Sequence, residues 1–441
     1  MPESNPSLVS QTAHLSGTSN AESSVHGLTL PEVRETLNAL AEVLGSGRAL
    51  WDFRPFDRLD NPWLAGYPSL WRLLDGLPDN SIDALDLDQA LLCDTLWPAL
   101  CADLASNGRA LWDKSLFLWQ LPRHALANDA LDALPNHDIS RFSAGIKGRK
   151  WQQISRFANI VSLRPSPYPY LEWCAGKGHL GRLMGALTSR PVLSLEWQQA
   201  LCIEGEKEAQ KQRINQRFLC KDAFADDANV LEKDMHALAL HACGGLHLTL
   251  LRHGVKAGTR AISISPCCYH LLNESDTDWL SGSAKETGLK LDRHALALPL
   301  NHALVASDKD NALRHREISW RLGFDALQRT LRGADDYLPL PTLRQSQLAG
   351  SFDDFCRWAA EYRELKLPDD FDAAHWLSLG LGRQRLTRRL DLAAHLFRPM
   401  IERFLLLDRA AFLLEAGYSV SLYAFCDSNV TPRNALIDAR R

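Results

Sequence analysis

The chain has 441 residues, 46% of them hydrophobic and 23% charged, with a formal net charge of -4. This is ordinary for a soluble globular protein with room for two or three domains. It excludes a global basic field, so contact with nucleic acid or an anionic membrane has to come from local patches.

Ten cysteines are present, none spaced C-x-x-C, which argues against a zinc ribbon or a thioredoxin motif. The start, Met-Pro-Glu-Ser-Asn-Pro, lacks the basic and apolar regions of a secretory signal. No uninterrupted apolar run reaches the ~20 residues of a membrane span. The expectation is a cytoplasmic protein with reduced thiols and no membrane partner.

In chain order, residues 1–26 are rich in Ser, Asn and Thr and read as a disordered tail. Residues 27–145 read as an N-terminal helical domain, with Leu37, Leu40 and Leu44, then Leu92, Leu96, Leu100 and Leu104, at helical spacing. Gly47-Arg48-Ala49-Leu50-Trp51-Asp52 recurs as Gly108-Arg109-Ala110-Leu111-Trp112-Asp113. Little around the hexapeptide repeats, so a chance recurrence is favoured over an internal duplication.

Strand-like runs then alternate with helical ones over Tyr170 to Trp173, Val192 to Trp197, Arg217 to Cys220, Ala237 to His241 and Arg260 to Ser265. That alternation predicts a parallel α/β sheet of Rossmann-like type. Residues 275–390 read as an Arg-rich helical insertion. One strong helix is expected over 386–416, ending at Gly417. Tyr418 to Phe425 and Asn434 to Ala439 read as a terminal hairpin that makes the sheet mixed. Residues 146–441 are thus expected to form one domain.

The turn after the first strand reads Glu172-Trp173-Cys174-Ala175-Gly176-Lys177-Gly178-His179. Glycines let the backbone approach a ligand, and the following helix N-terminus favours electron-rich groups. Such a turn alone also fits nucleotides and flavins. Glu196, beside Trp197, ends the second strand, where a carboxylate accepts from ribose hydroxyls. Asp222 follows the third, where it can take an adenine amino group while Ala223 or Phe224 covers the ring. Capping of the next helices would explain either acid singly. Three acids in register with three strand ends favour an adenosine-bearing cofactor. NAD fits less well, because Cys174 stands where G-x-G-x-x-G opens.

Glu172 to Gly181 resembles the Gly-Lys-Gly-His-Leu loop of the methyltransferase-like protein 25 family and its bacterial relatives. The resemblance continues in His241-Ala242-Cys243-Gly244, Pro266-Cys267-Cys268-Tyr269-His270, Leu407-Asp408-Arg409 with Glu415, and Thr431-Pro432-Arg433-Asn434. Gly145 to Ile160, with Lys147 and Lys150, looks like the helix preceding that family's first strand. The match covers about 145–441, with gaps in the insertion. It implies a class I methyltransferase fold and S-adenosylmethionine, bound through Glu172, Cys174, Gly176, Lys177, Gly178, His179, Glu196, Trp197, Asp222, Ala223 and His241. It implies no substrate.

The acceptor is expected beyond the fourth and fifth strands, where His241, Cys243, Cys267, Cys268, Tyr269 and His270 are the candidate catalytic residues. His241 or His270 could serve as general base. A cysteine could be a covalent nucleophile, a placement similar to that of RNA cytosine-C5 methyltransferases. The cysteines as small apolar filling are favoured over the nucleophile, and stand level with the histidine base. A metal held by Cys243, Cys267, Cys268 and His270 is the least favoured reading, because adjacent cysteines are an awkward pair for one tetrahedral zinc.

Arginines cluster at Arg314, Arg316, Arg321, Arg329 and Arg332 and at Arg383, Arg385, Arg388 and Arg389; Lys147, Arg149 and Lys150 form a third group. RNA, reached through the Arg-rich insertion, is the acceptor expected first. A solvated helix face is the bland alternative. Nothing indicates DNA specificity or an oligomeric state. Methylation of a protein or small molecule, and a non-catalytic binding module, are the competing readings.

Overall fold

The computed structural model describes residues 27–123, 131, 134, 136–225, 230–272, 278–300 and 308–441. The expected tail, 1–26, lies outside them.

Seven strands form one sheet: β1 (Tyr170–Trp173), β2 (Val192–Glu196), β3 (Gln216–Cys220), β4 (His236–Cys243), β5 (Ala261–Cys267), β6 (Ser419–Ala424) and β7 (Ala435–Arg440). Their order is β3-β2-β1-β4-β5-β7-β6, with β1 to β5 parallel and β7 antiparallel to both neighbours. This is an α/β Rossmann-like fold with a mixed sheet and added helical regions. Chain order reverses between β1 and β4, so a crevice opens beyond their carboxyl ends, the usual ligand position in such sheets. β1 and β5 are buried along their whole length, as central strands covered on both faces must be.

Helices Gly148–Leu163 and His179–Thr188 pack on one face through Phe157, Ile160, Leu183 and Met184, against Tyr170, Leu238 and Leu436. The other face meets helices Gly245–Ala257 and Arg398–Glu415. Their core is continuous with Val33, Leu37, Leu40, Leu96 and Leu100 of the N-terminal helices Leu30–Ser46 and Gln89–Ser106. The N-terminal helices therefore share their apolar interior with the C-terminal half of the chain. A satellite core of Trp320, Phe324, Phe352 and Phe355 holds the insertion helices Asp308–Arg332, Phe352–Tyr362 and Ala373–His395 together. Two of these touch backbone to backbone: a Cβ on Gly380 would stand 2.3 Å from the Ser319 carbonyl oxygen.

The single helix expected over 386–416 is two helices, Ala373–His395 and Arg398–Glu415. The cause is Pro399. Inside a continuous helix its ring would collide with the carbonyl of His395, four residues back. At the second position of a new helix it costs no hydrogen bond. The hexapeptide copies also diverge. Arg48–Leu50 is a 3-10 turn that buries Trp51, whereas 109–113 has no regular secondary structure. Trp112 packs on Phe397 instead, at the spot where a side chain on Gly47 would sit. Among the described residues no helix is long and apolar enough to cross a membrane.

Candidate functional site

The turn after β1 is built from left-handed backbone. Cys174 has φ 57°, Gly176 58° and Gly178 67°. A Cβ on Gly178 would lie 2.4 Å from Gln216 Nε2 and from Phe218 Cζ, and one on Gly181 would lie 2.4 Å from Glu172 Oε2. Those glycines let the turn lie flat on β1 to β3. Gly176 differs: nothing stands within 4 Å of its added Cβ, so its face of the turn is open.

Glu172 does not line that open face, contrary to the expectation that it contacts cofactor. It is buried beneath the turn, where Oε2 accepts from Ser194 Oγ at 2.6 Å and from Gln216 Nε2 at 3.3 Å. Burial pushes its carboxyl above the usual range, while Ser194 and the backbone N–H groups of Gly181 and Leu180 act the other way. Its role is to shape the loop from below. His179 is also committed to the fold: Nδ1 faces Arg182 Nη2 at 2.8 Å, and burial, with Arg182, Lys150 and Lys177 adding, takes its pKa down to about 4. Lys177 reaches over to Glu204 at 2.5 Å.

Glu196 is buried at the end of β2. Its Oε2 accepts from the Gly176 N–H at 2.9 Å and Oε1 from the Gln198 N–H at 3.0 Å. A carboxylate offers about four acceptor sites, so about two remain for a ligand. Asp222 is exposed and holds the Phe224 N–H at 2.9 Å. Asp222 closes a turn rather than capping a helix, since none follows it before β4 among the described residues, and neither carboxylate is saturated by its bonds. Ala223 is buried beneath. Trp197 and Phe224 are 69% and 51% exposed, leaving two aromatic faces at the same sheet edge.

At the ends of β4 and β5 the backbone is again irregular. A register shift between Leu240 and Ala242 surrounds His241 at φ 62°, and Cys268 has φ 51°. His241 Nε2 donates to Gln153 Oε1 at 2.6 Å, which leaves Nδ1 free of the proton in the neutral ring. Burial, with Arg433 and Lys150 adding, takes its pKa down to about 4, far from that of an efficient base at neutral pH.

Cys243 and Cys267 are paired across the two strands with sulfurs 3.3 Å apart. Cys268 joins them, all three sulfurs lying within 4.8 Å of one another. The hydrogen bond from Cys267 favours ionisation of Cys243, and bonding from Cys268 and the nearby Arg433 charge add to it. The Cys267 and Cys268 thiols are raised, the first mainly by its bond to Cys243 and the second by burial.

Tyr269 is buried in the core, edge-on to His247 with Arg409 over its ring, and its hydroxyl lies near enough to Cys267 and Cys268 to feel their charge. His270 is half-buried, and its Nδ1 has no hydrogen-bond partner among the described residues.

Several motif residues prove structural. Asp408 accepts from the Leu280 and Ser281 N–H groups and from Ser281 Oγ, while Glu415 accepts from the Gly282 and Ser283 N–H groups. Arg409 reaches Asp408 and His247. Together they pin the N-terminus of helix Gly282–Glu286, at the start of the insertion, onto helix Arg398–Glu415.

Most of the insertion arginines are engaged by partners within the protein, and two are buried. Arg383 and Arg329 share the buried Asp325, at 2.5 and 2.9 Å. Arg389 is fully buried against the Leu74 and Leu77 carbonyls and Asp79. Arg316 bonds the Leu348 carbonyl, and Arg321, Arg332, Arg385 and Arg388 each have an acidic partner. Arg383 and Arg389 are therefore internal, whereas Arg314, Arg316, Arg332 and Arg385 remain exposed.

Residue typing passed over Gln153 and Arg433. Both sit inside motifs that carried the resemblance, and that was the available signal.

Residues 149–275 match the family model described as a methyltransferase domain. The chain carries a methyltransferase domain. It is an S-adenosylmethionine-dependent enzyme, and the crevice suits that cofactor: open backbone at Gly176, unsaturated acids at two strand ends and exposed aromatic faces. Among solved structures the methyltransferase is similar to an rRNA methylase from Streptococcus thermophilus, at 16% identity over 28% of this chain and 74% of that one, with a TM-score of 0.21. It is also similar to the plantazolicin methyltransferase BpumL in complex with SAH, at 17% identity over 42% of this chain and 72% of that one, with a TM-score of 0.23.

Proposed function

We propose that this methyltransferase acts on RNA, and that basic residues around the crevice guide the RNA. The supporting observation is a group of cations with no ion-pair partner among the described residues. Lys147, Arg149 and Lys150 are exposed at the start of helix Gly148–Leu163. The same helix carries Gln153, which holds His241. Arg433 lies close enough to act on His241, Cys243 and His270. Unpaired Lys and Arg flanking a narrow crevice suit a phosphate backbone on either side of an inserted base. The motif pattern also keeps the resemblance to the methyltransferase-like protein 25 family as part of this reading.

Within the site, Glu196 would accept from the ribose hydroxyls and Asp222 from the adenine amino group, and Trp197 and Phe224 would cover the purine. S-adenosylmethionine supplies an electrophilic methyl on its sulfonium. The neutral His241, fixed by Gln153, presents Nδ1 as a hydrogen-bond acceptor that orients the incoming group.

The test is tritiated-methyl transfer from S-adenosylmethionine into RNA, protein and small-molecule fractions of a deletion strain. Label in RNA, falling in Lys150→Glu and Arg433→Glu and with rising salt, supports the reading. Label in protein or metabolites alone refutes it.

A further inference from the structure

The three thiols meet only because the backbone is bent to collect them. In a regular strand Cys267 and Cys268 would project to opposite faces of the sheet. The left-handed φ of 51° at Cys268 breaks that alternation and turns its thiol back toward Cys267. On the adjoining strand the irregularity around His241, at φ 62°, resets the register so that Cys243 comes level with Cys267. Non-glycine residues in that conformation cost about 1–3 kcal/mol each and persist where the surroundings impose them, commonly at functional sites. Here two of them flank a single cluster.

The spacing suits a particular occupant. Zinc–sulfur bonds of about 2.3 Å at tetrahedral angles place ligand sulfurs about 3.8 Å apart. The observed sulfurs lie within 4.8 Å of one another, the closest pair at 3.3 Å, so movements below about an ångström seat the ion. We propose that Cys243, Cys267 and Cys268 bind one thiophilic divalent metal ion, zinc by its chemistry, with the fourth coordination position open.

The adjacency of Cys267 and Cys268, awkward on a straight strand, is what the bend at Cys268 overcomes. No histidine or carboxylate joins the trio within 4.8 Å among the described residues, so the protein supplies three ligands. Three protein ligands and one exchangeable position are the pattern of zinc sites that bind an outside molecule. A divalent ion on three thiolates carries one net negative charge, and Arg433, beside Cys243 and Cys268, offsets it. The site does not depend on which acceptor is methylated.

The experiment uses the full chain, purified reduced and free of chelator, with metal content measured by plasma mass spectrometry. The apo chain is then titrated with Co(II). About one equivalent of zinc, and thiolate-to-cobalt charge-transfer bands displaced by zinc, are expected. Cys243→Ser, Cys267→Ser and Cys268→Ser should each weaken metal binding at least about tenfold, while the exposed Cys220→Ser retains it. Circular dichroism and S-adenosylmethionine calorimetry on each variant separate loss of the metal from loss of fold or of cofactor. A fully reduced wild-type chain that takes up no stoichiometric metal overturns the proposal, whatever the variants do. So does unchanged cobalt binding in a folded Cys243→Ser, or a Cys243–Cys267 disulfide whose reduction restores no metal binding.

Discussion

Replacing Glu196 by alanine tests whether the carboxylate at the end of β2 is the cofactor's ribose acceptor. Of its roughly four acceptor sites, two are occupied by the Gly176 and Gln198 N–H groups, at 2.9 and 3.0 Å, and about two are left for two hydroxyls. A hydrogen bond to a charged group contributes about 1.5–3 kcal/mol, so losing even one weakens S-adenosylmethionine binding about 10- to 150-fold. Alanine also frees the Gly176 N–H, which loosens the turn. Thermal melting of the ligand-free protein measures that second effect separately. Glu196→Gln keeps the volume and an acceptor oxygen but loses the charge, so its affinity should fall between wild type and alanine. Isothermal titration calorimetry with S-adenosylmethionine and its demethylated product reads all three proteins. If folded Glu196→Ala binds within about twofold of wild type, the assignment of this carboxylate to the ribose is wrong.

Gly178→Ala should lower stability by about 2–4 kcal/mol, combining overpacking with a left-handed backbone. Its new Cβ would fall 2.4 Å from Gln216 and Phe218, and a melting temperature near wild type would show that the β3 side chains yield easily. Acid should destabilise the protein through His179, whose folded pKa of about 4 lies below the ordinary 6.5. Between those values the unfolded state binds more protons, so stability falls as pH drops from 6.5 toward 4 and this contribution is constant above 6.5. His179→Gln, which keeps an acceptor for Arg182, should show a shallower fall of melting temperature in that window; parallel profiles would refute the attribution.

Much of the sheet was legible because buried parallel strands are short apolar runs bounded by turns. Predicted and observed ends of β1 coincide, and β4 and β5 each extend two residues further, to Cys243 and Cys267. The irregular backbone lies beside those extra residues, at His241 and Cys268, and no periodic pattern announces a bulge. The positions of Glu196 and Asp222 beside the turn after β1 were legible because strand ends fix where their carboxylates emerge. Glu172 was misjudged because alternation places a side chain on a face without revealing Ser194 and Gln216 opposite it. The partners of the buried insertion arginines were hidden for a related reason. Asp325 and Asp79, which absorb them, lie far away in sequence or on another helix turn. The break at Leu396 and Phe397 was written in Pro399, but the apolar periodicity on both sides outweighed it.

The order of the sheet leaves β6 as an outer strand, and an outer strand offers a row of unpaired amides to any other extended chain. Here the N-terminal part of the polypeptide occupies that row. The Leu28 N–H donates to the Val420 carbonyl at 2.8 Å, and the Ala424 N–H donates to the Pro122 carbonyl at 2.8 Å. The helices before β1 thus act as a selvedge, closing the hem of the sheet at two stitches some four residues apart. A fragment trimmed to begin at the methyltransferase domain would keep every crevice residue, yet expose this border and the apolar side of helix Arg398–Glu415. Its expected fate is self-association into sheets rather than a smaller working enzyme.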